Sequence, residues 1–296
     1  MDNLVTAIIT THNREPEILK RAIDSVLSQT YRNIELIVVD DSPSYTYHDE
    51  IVKLVKSYDR EIKYLVNDAH PGACGSRNIG IQHASGKLIA LLDDDDEWVA
   101  EKLSWMVSCI LGNVGLVYGK YRIIKNKGAT IKNESHFEGD VYEQLLKNGN
   151  FIGGCSVPVF RKDIAVNVGL FDENLKSAQD YDFWLRIAQK YEVSFVDKCV
   201  VNYYLSSDAI STSANKKIKS SEYLLEKYHS DFEKYPEAKT RVYREMIYRL
   251  VCAGQYKQSY NKYKHCKDSL SVFDYVKVLI KGTIKHAVLL LHLQDR

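Results

Sequence analysis

Four consecutive aspartates, Asp93 to Asp96, stand between the apolar run Leu88–Leu92 and Trp98. Each carboxylate raises the cost of ionising its neighbour. Such a run is either a solvated turn or a cation site, and its apolar and aromatic flanks argue against a free polar tail. Two other apolar, β-branched runs also end in polar residues: Leu4–Thr10 leads into Thr10, His12 and Arg14, and Ile34–Val39 into Asp40 and Asp41. Asp40 and Asp41 could accept hydrogen bonds from ribose hydroxyls or a base N–H, although a strand-end turn also accounts for them. If the three runs are neighbouring strands, their ends form one acidic rim. A divalent hard cation carrying phosphate oxygens would neutralise that rim.

Two more segments carry reactive groups. In "HPGACGSRNIG", His70 to Gly80, the spacing of Gly72, Gly75 and Gly80 is not that of a dinucleotide loop. Arg77 is expected in a first helical turn, where its charge opposes the helix dipole unless an anion is bound. A surface arginine is the alternative. In "SAQDYDFWLRIA", Asp180 precedes an aromatic-rich helix. It is either a helix cap or a general base, and its chemistry alone leaves both open.

The elements that would position these groups alternate. Helical spacing at Glu15–Ser28, Ile51–Ser57, Ser76–Ala84 and Glu97–Leu111 separates strands at Leu4–Thr10, Ile34–Val39, Ile62–Val66 and Leu88–Leu92. That order implies a parallel α/β sheet, at whose carboxyl edge ligands bind. In the first of these helices Ile18, Ala22, Ile23, Val26 and Leu27 form the expected apolar face. Beyond Gly115 the pattern mixes strands at Gly115–Ile124, Val157–Arg161, Val193–Val196 and Val200–Leu205 with helices at Val141–Lys147 and Tyr181–Tyr191. Ser206–Ser213 reads as a loop. The expected division is a catalytic domain over 1–213 and a helical region over 214–296, with Gly254 turning a helix pair. In Val276–Leu293, Lys277, Lys281 and Lys285 form a basic line, and Val276, Ile280, Ile284, Ala287 and Leu291 an apolar stripe. Such a helix lies on an anionic membrane surface or packs on its own domain.

The 296 residues are 45% hydrophobic and 27% charged, the balance of an ordinary globular protein, and a net charge of +1 gives no electrostatic case for nucleic acid. Six cysteines include no CxxC pair. Neither a signal peptide nor a membrane-spanning run is evident, so a cytoplasmic protein with reduced thiols is expected. Homo-oligomerisation is left open.

Taken together, "VTAIITTHNR", "AIDSVLSQTYRNIELIVVDDS", "GACGSRNIGIQHASGKLIALLDDDDEW" and "GLFDENLKSAQDYDFWLRIA" resemble, in order and spacing, the family-2 glycosyltransferases over about residues 4–210. The resemblance implies a GT-A fold, a mixed Rossmann-like sheet flanked by helices. It also implies transfer of a sugar from a nucleotide diphosphate, most commonly UDP, with inversion and with Mn2+ or Mg2+ as cofactor. By that resemblance Asp93-Asp94-Asp95 is the DxD element. Asp95 would be the main metal ligand with Asp93 assisting, while Asp94 would meet ribose or the waters around the metal. Thr10, His12, Arg14, Asp40, Asp41 and Arg77 would bind the nucleotide, with Asp41 nearest the base. Asp180 would be the catalytic base, and Trp98, Gly153, Gly154 and Gln179 would shape the donor-sugar and acceptor pocket.

Two positions depart from the family pattern. Gln179 stands where members often have an acid, with Asp182 as a substitute, and no arginine or histidine occurs in "NYYLSSDAISTS". Diphosphate contact would then fall to Ser206, Ser207, Lys216 or Lys217. The implied acceptor is a glycan, typically lipid-linked, in capsule, lipopolysaccharide or another surface polysaccharide, with the enzyme peripheral on the inner membrane face. A nucleotidyltransferase and a non-catalytic carbohydrate-binding scaffold are the competing classes.

Overall fold

The computed structural model describes residues 3–42, 46–125, 128–132, 136–204 and 214–294. Its described residues fall into two compact units. The first lies within Met1–Glu143, Asn150–Asn174 and Gln179–Ser207, the second within Gln144–Gly149, Leu175–Ala178 and Asp208–Arg296.

The first unit opens with the alternation expected of its sequence: β1 (Val5–Thr11), α1 (Pro16–Leu27), β2 (Ile34–Asp40), α2 (His48–Lys56), β3 (Lys63–Val66), α3 (Ala73–His83) and β4 (Leu88–Asp93). β1 pairs in parallel with β2 and β4, and β2 with β3. The middle of β1, β2 and β4 is wholly buried, as strands covered on both faces must be. Pro16 opens α1, where its missing N–H costs nothing. The buried face of α1 is Leu19, Ala22, Ile23 and Val26, with Ile18 and Leu27 at its margins. α3 lies so close to β1 that a Cβ at Gly80 would stand 2.5 Å from Ile8.

The remainder of the sheet is mixed. It contains β5 (Asp96–Trp98), β6 (Val114–Lys125), β7 (Gly128–Lys132), β8 (Val159–Arg161) and β9 (Glu192–Tyr204), with α4 (Lys102–Val107), α5 (Tyr142–Asn148), α6 (Lys162–Asn167) and α7 (Gln179–Ala188) between them. The order is β3-β2-β1-β4-β8-β6-β9-β5, with β7 on β6. β8 runs antiparallel to β4 and β6, and β9 parallel to β6. Two expectations are corrected. The helix expected from Glu97 begins at Lys102, because Asp96–Trp98 pairs antiparallel with Val201–Tyr203 of β9. The two short strands expected over 193–205 are one, β9, whose register against β6 shifts at Gly119 and Lys120.

The second unit is helical: α8 (Ala214–Lys227), α9 (His229–Lys234), α10 (Pro236–Cys252), α11 (Tyr256–His265) and α12 (Val272–Gln294). Gly254 turns α10 into α11, where the N–H groups of Gly254 and Gln255 donate to the carbonyls of Val251 and Leu250. Ile247, Val251, Cys266, Leu270, Tyr275 and Val278 form its core. Among the described residues no helix is long and apolar enough to cross a membrane, and all six cysteines are free thiols.

Candidate functional site

The carboxyl ends of β1, β2 and β4 meet at a cleft of about 270 Å3, lined by Thr10, Thr11, His12, Arg14, Asp41, Ala73, Ser76, Arg77, Asp93, Asp94 and Asp95. Register sets this convergence: Thr10 lies beside Asp93 and Thr11 beside Asp40. A larger hollow of about 800 Å3 opens at the opposite end of the strands, beside Asn3 and Leu88, away from the acidic turn.

Asp40 and Asp41 take different roles because successive side chains of a strand point to opposite faces. Asp41 lines the cleft. Its carboxylate accepts from the Gly72 N–H at 2.7 Å and from Asn67 Nδ2 at 3.0 Å. Burial raises its pKa, partly offset by the Gly72 N–H and by His12. Asp40 is fully buried beneath the rim, accepting from the Ser42 N–H and hydroxyl, Tyr64 Oη (2.6 Å) and His48 Nδ1 (2.8 Å). The expectation that Asp40 faces a nucleoside is therefore corrected: its oxygens are taken up inside the protein. Asp40→Ala should lower stability by about 3 kcal/mol, because it strands buried donors. Asp41→Asn, at the open cleft, should leave the melting temperature nearly unchanged. Thermal melts of the two variants check the pair.

The four aspartates also divide. Arg14 Nε donates to Asp94 Oδ1 at 2.9 Å, and its Nη2 reaches Asp94 Oδ1 at 2.8 Å and Asp95 Oδ2 at 3.3 Å. Arg21 Nη2 donates to the Asp95 carbonyl at 2.6 Å, which fixes the turn. Burial pushes the pKa values of Asp94 and Asp95 up, relieved at Asp94 by Arg14 and worsened at Asp95 by Asp94. Asp96 points the other way, into the core. It accepts from Ser156 Oγ at 2.5 Å, and burial together with Asp93 holds its pKa well above the ordinary range. Lys102 lies beside it, fully buried, with Nζ donating to the Ser156 carbonyl at 2.6 Å; burial pulls its pKa well down. Trp98 belongs to this buried group. Its Nε1 donates to the Ser156 carbonyl at 3.1 Å and its ring faces Lys102 Nζ at 4.1 Å, so it braces the acidic turn and does not line the cleft.

Arg77 links the acidic turn to α7. It lies one turn into α3, which starts at Ala73, and it is buried, not a surface arginine. Nη2 donates to Asp93 Oδ1 at 2.7 Å and Nη1 to Gln179 Oε1 at 3.2 Å. Gln179 opens α7, so its side-chain amide holds Arg77, and Arg77 in turn holds Asp93. Asp180 follows in the first turn of α7. Its Oδ1 accepts from the Tyr181 N–H at 2.8 Å and its Oδ2 from Asn150 Nδ2 at 2.9 Å. Burial raises its pKa, Asp93 adds to the rise, and Arg77 opposes it. Asp182 is no substitute: it is fully buried and held by Arg186 at 2.8 and 3.0 Å.

The segment Asn150–Phe160 braces both sides. Asn150 Nδ2 also donates to the Gly153 carbonyl, and the Gly153 N–H returns to Asn150 Oδ1, each at 3.1 Å. Gly153 has φ +104°, a conformation that disfavours any side chain. A Cβ at Gly154 would stand 2.8 Å from Tyr203 Oη. Ser156 Oγ accepts from the Asp93 N–H at 3.0 Å. Thr11, Asn67, Ser76, Asn150, Ser156 and Lys102 were not singled out from sequence. Asn67 and Asn150 each close a local turn by bonding the residue three positions on, but an asparagine alone in the sequence does not mark such a turn. Ser206 and Ser207 lie outside the described residues, and Lys216 and Lys217 belong to α8 in the second unit.

Residues 6–168 match the family model for glycosyl transferase family 2. The chain belongs to this family. It is 35% identical over 221 residues to the Escherichia coli UDP-Glc:alpha-D-GlcNAc-diphosphoundecaprenol beta-1,3-glucosyltransferase WfgD, spanning 74% of this chain and 83% of that one. The fold is that of GT-A glycosyltransferases. S. aureus TarS 1-349, solved in complex with UDP-GlcNAc, superimposes with a TM-score of 0.60 at 17% identity, over 93% of this chain and 90% of that one. The mannosyltransferase PcManGT from Pyrobaculum calidifontis, solved with GDP-Man and Mn2+, gives 0.60 at 15% identity, over 97% and 88%. The family match ends at residue 168, before α7, so the environment of Asp180 rests on the geometry above.

Asp93 and Asp95 offer hard carboxylate oxygens beside a cleft, the donor set a divalent cation takes. The Asp95 carboxylate reaches Arg14 Nη2 at 3.3 Å, and burial, with Asp94 and Asp93 close by, raises its pKa. Among the described residues no group of three or more histidines, cysteines and acids forms a ready-made metal cage. Asp93 and Asp95 are the residues that would hold a Mn2+ or Mg2+ ion at this cleft.

Proposed function

We propose that this chain is an inverting glycosyltransferase that moves a sugar from a nucleotide-diphosphate donor to a hydroxyl of a glycan acceptor. The donor is a UDP-sugar and the acceptor a lipid-linked glycan, in surface polysaccharide synthesis at the inner face of the membrane. The likeness to WfgD supports this choice of donor and acceptor. The catalytic portion spans 1–213, with 214–296 as its helical extension. The observation that carries the reading is Arg77, which ties Asp93 of the acidic turn to Gln179 next to Asp180. One buried guanidinium thereby fixes the proposed base relative to the donor site.

Asp41 accepts from the base N–H, and Thr10, His12, Arg14 and Asp94 surround the ribose and phosphates. Asp93 and Asp95 would hold a divalent cation, which when bound would supply charge neutralisation for the leaving diphosphate. Asp180 takes the proton from the acceptor hydroxyl as its oxygen attacks the anomeric carbon. Asn150 and the Tyr181 N–H keep that carboxylate oriented. Gly153 and Gly154 pack against Val157, Tyr121 and Tyr203, so they shape the turn that holds Asn150 and not an open sugar pocket. A single displacement from the face opposite the diphosphate converts an α-linked donor into a β-linked product.

A donor panel tests the reading. Purified protein with Mn2+ should release nucleoside diphosphate from one uridine diphosphate sugar, faster with a diphosphate-lipid-linked N-acetylhexosamine acceptor, and EDTA should abolish the release. No release from any donor, combined with no metal-dependent binding of UDP, would refute it.

A further inference from the structure

α12 has two apolar faces. Tyr275, Val278 and Gly282 face the second unit's core, where a Cβ at Gly282 would stand 2.6 Å from Val251 of α10. The stripe expected from sequence is the other face. Val276 is 43% exposed, Ile280 58% and Ile284 62%, and Phe273 at the start of the helix is 67% exposed. Residues 273, 276, 280, 284 and 287 recur at helical spacing, so they make one continuous band turned away from the core. Packing on its own domain therefore accounts for only one of the two faces. Contiguous exposed apolar surface of this kind marks an interaction site.

Charge decides the partner. Lys277, Lys281 and Lys285 run along one edge of the exposed band, and none of the three is in an ion pair among the described residues. Lys277 and Lys281 also line a groove of about 400 Å3 between α10 and α12, together with Arg241 and Arg244. Asp274 answers Arg244 at 3.2 Å and Glu245 answers Arg241 at 3.4 Å, so the two lysines leave the groove cationic. Apolar side chains in line with a basic edge and a cationic groove match a surface that offers acyl chains beneath anionic headgroups.

We infer that the exposed face of α12 docks on an anionic lipid surface, with Phe273, Ile280 and Ile284 entering the acyl boundary and Lys277, Lys281 and Lys285 meeting lipid phosphates. Docking by α12 stands or falls independently of the transferase chemistry.

Vesicle co-sedimentation of the full chain tests it. Wild-type protein should pellet with phosphatidylcholine vesicles that contain phosphatidylglycerol and remain in solution with phosphatidylcholine alone. Ile280→Asp with Ile284→Asp should abolish pelleting. Lys277→Gln, Lys281→Gln and Lys285→Gln together should lower the partition coefficient on the order of a hundredfold, from roughly a factor of five per lysine near the surface. Unchanged thermal melts and donor turnover in solution would show that both variants are folded. Equal pelleting on neutral and anionic vesicles, or no pelleting of wild type, overturns the inference. So does a concentration-dependent dimer in sedimentation velocity that the Ile280→Asp and Ile284→Asp variant dissolves, which would assign the face to a second copy of the chain.

Discussion

Asp180→Asn should lower kcat by about three orders of magnitude, the middle of the range for a positioned general base, while UDP affinity and melting temperature stay close to wild type. The substitution is nearly isosteric. It keeps an oxygen for the Tyr181 N–H at the price of the Asn150 contact. The pH profile separates a lost base from a disturbed fold. Burial and Asp93 raise the Asp180 pKa above the ordinary aspartate value of 3.8. The wild-type rate must therefore rise with pH as this group loses its proton, along a limb displaced upward from that value. The variant's residual rate should lack that limb. Steady-state kinetics over a pH series, with donor binding measured in parallel, checks both parts.

Asp95→Asn should have the second large effect, and in two directions. Donor turnover should fall on the order of a thousandfold, the loss of several kcal/mol of charge stabilisation, and Mn2+ binding followed by paramagnetic resonance should weaken. Stability should move the other way. The raised pKa values of Asp94, Asp95 and Asp96 mean that the folded state binds these protons more tightly than the unfolded chain does. Their contribution to stability is therefore fully present below the unfolded pKa and is lost as pH rises through the folded values. The ionised form of this cluster is the costly one, and Asp95→Asn removes one of its charges. Metal-free variant should melt above metal-free wild type at pH 7, and the gap should close as the pH falls. A variant that melts lower at pH 7, with Mn2+ binding intact, would contradict the assignment of Asp95.

The parts of the fold legible in the sequence are those where one local pattern dominates. β1, β2 and β4 are short, mainly apolar runs because both faces of these strands are covered. Their polar ends had to lie on one edge once they were parallel. β5 was illegible because Asp96 and Trp98 face inward from a strand of three residues, whose hydrogen-bonding partner lies about a hundred residues away in β9. The site divides in the same manner. The residue types named the chemistry, but Asp40 and Asp41 differ only in which side of the strand end each meets. Arg77 offered an anion on sequence grounds and instead spans two elements through carboxylate and amide contacts. The bracing by Asn150 and Ser156 comes from long-range hydrogen bonds that no local pattern records. At the other end of the chain, α12 displayed a stripe and a basic line, and only its packing on α10 shows which face remains open.

The central claim is a direct displacement at the anomeric carbon, with Asp180 as base beside a donor held at the acidic turn. The measurement that tests it most directly is the anomeric configuration of the product, read by proton NMR after transfer from an α-linked UDP-sugar. A β-linked product, formed by wild type and lost in Asp180→Asn, is the result expected. An α-linked product would contradict the account, because retention cannot arise from one displacement.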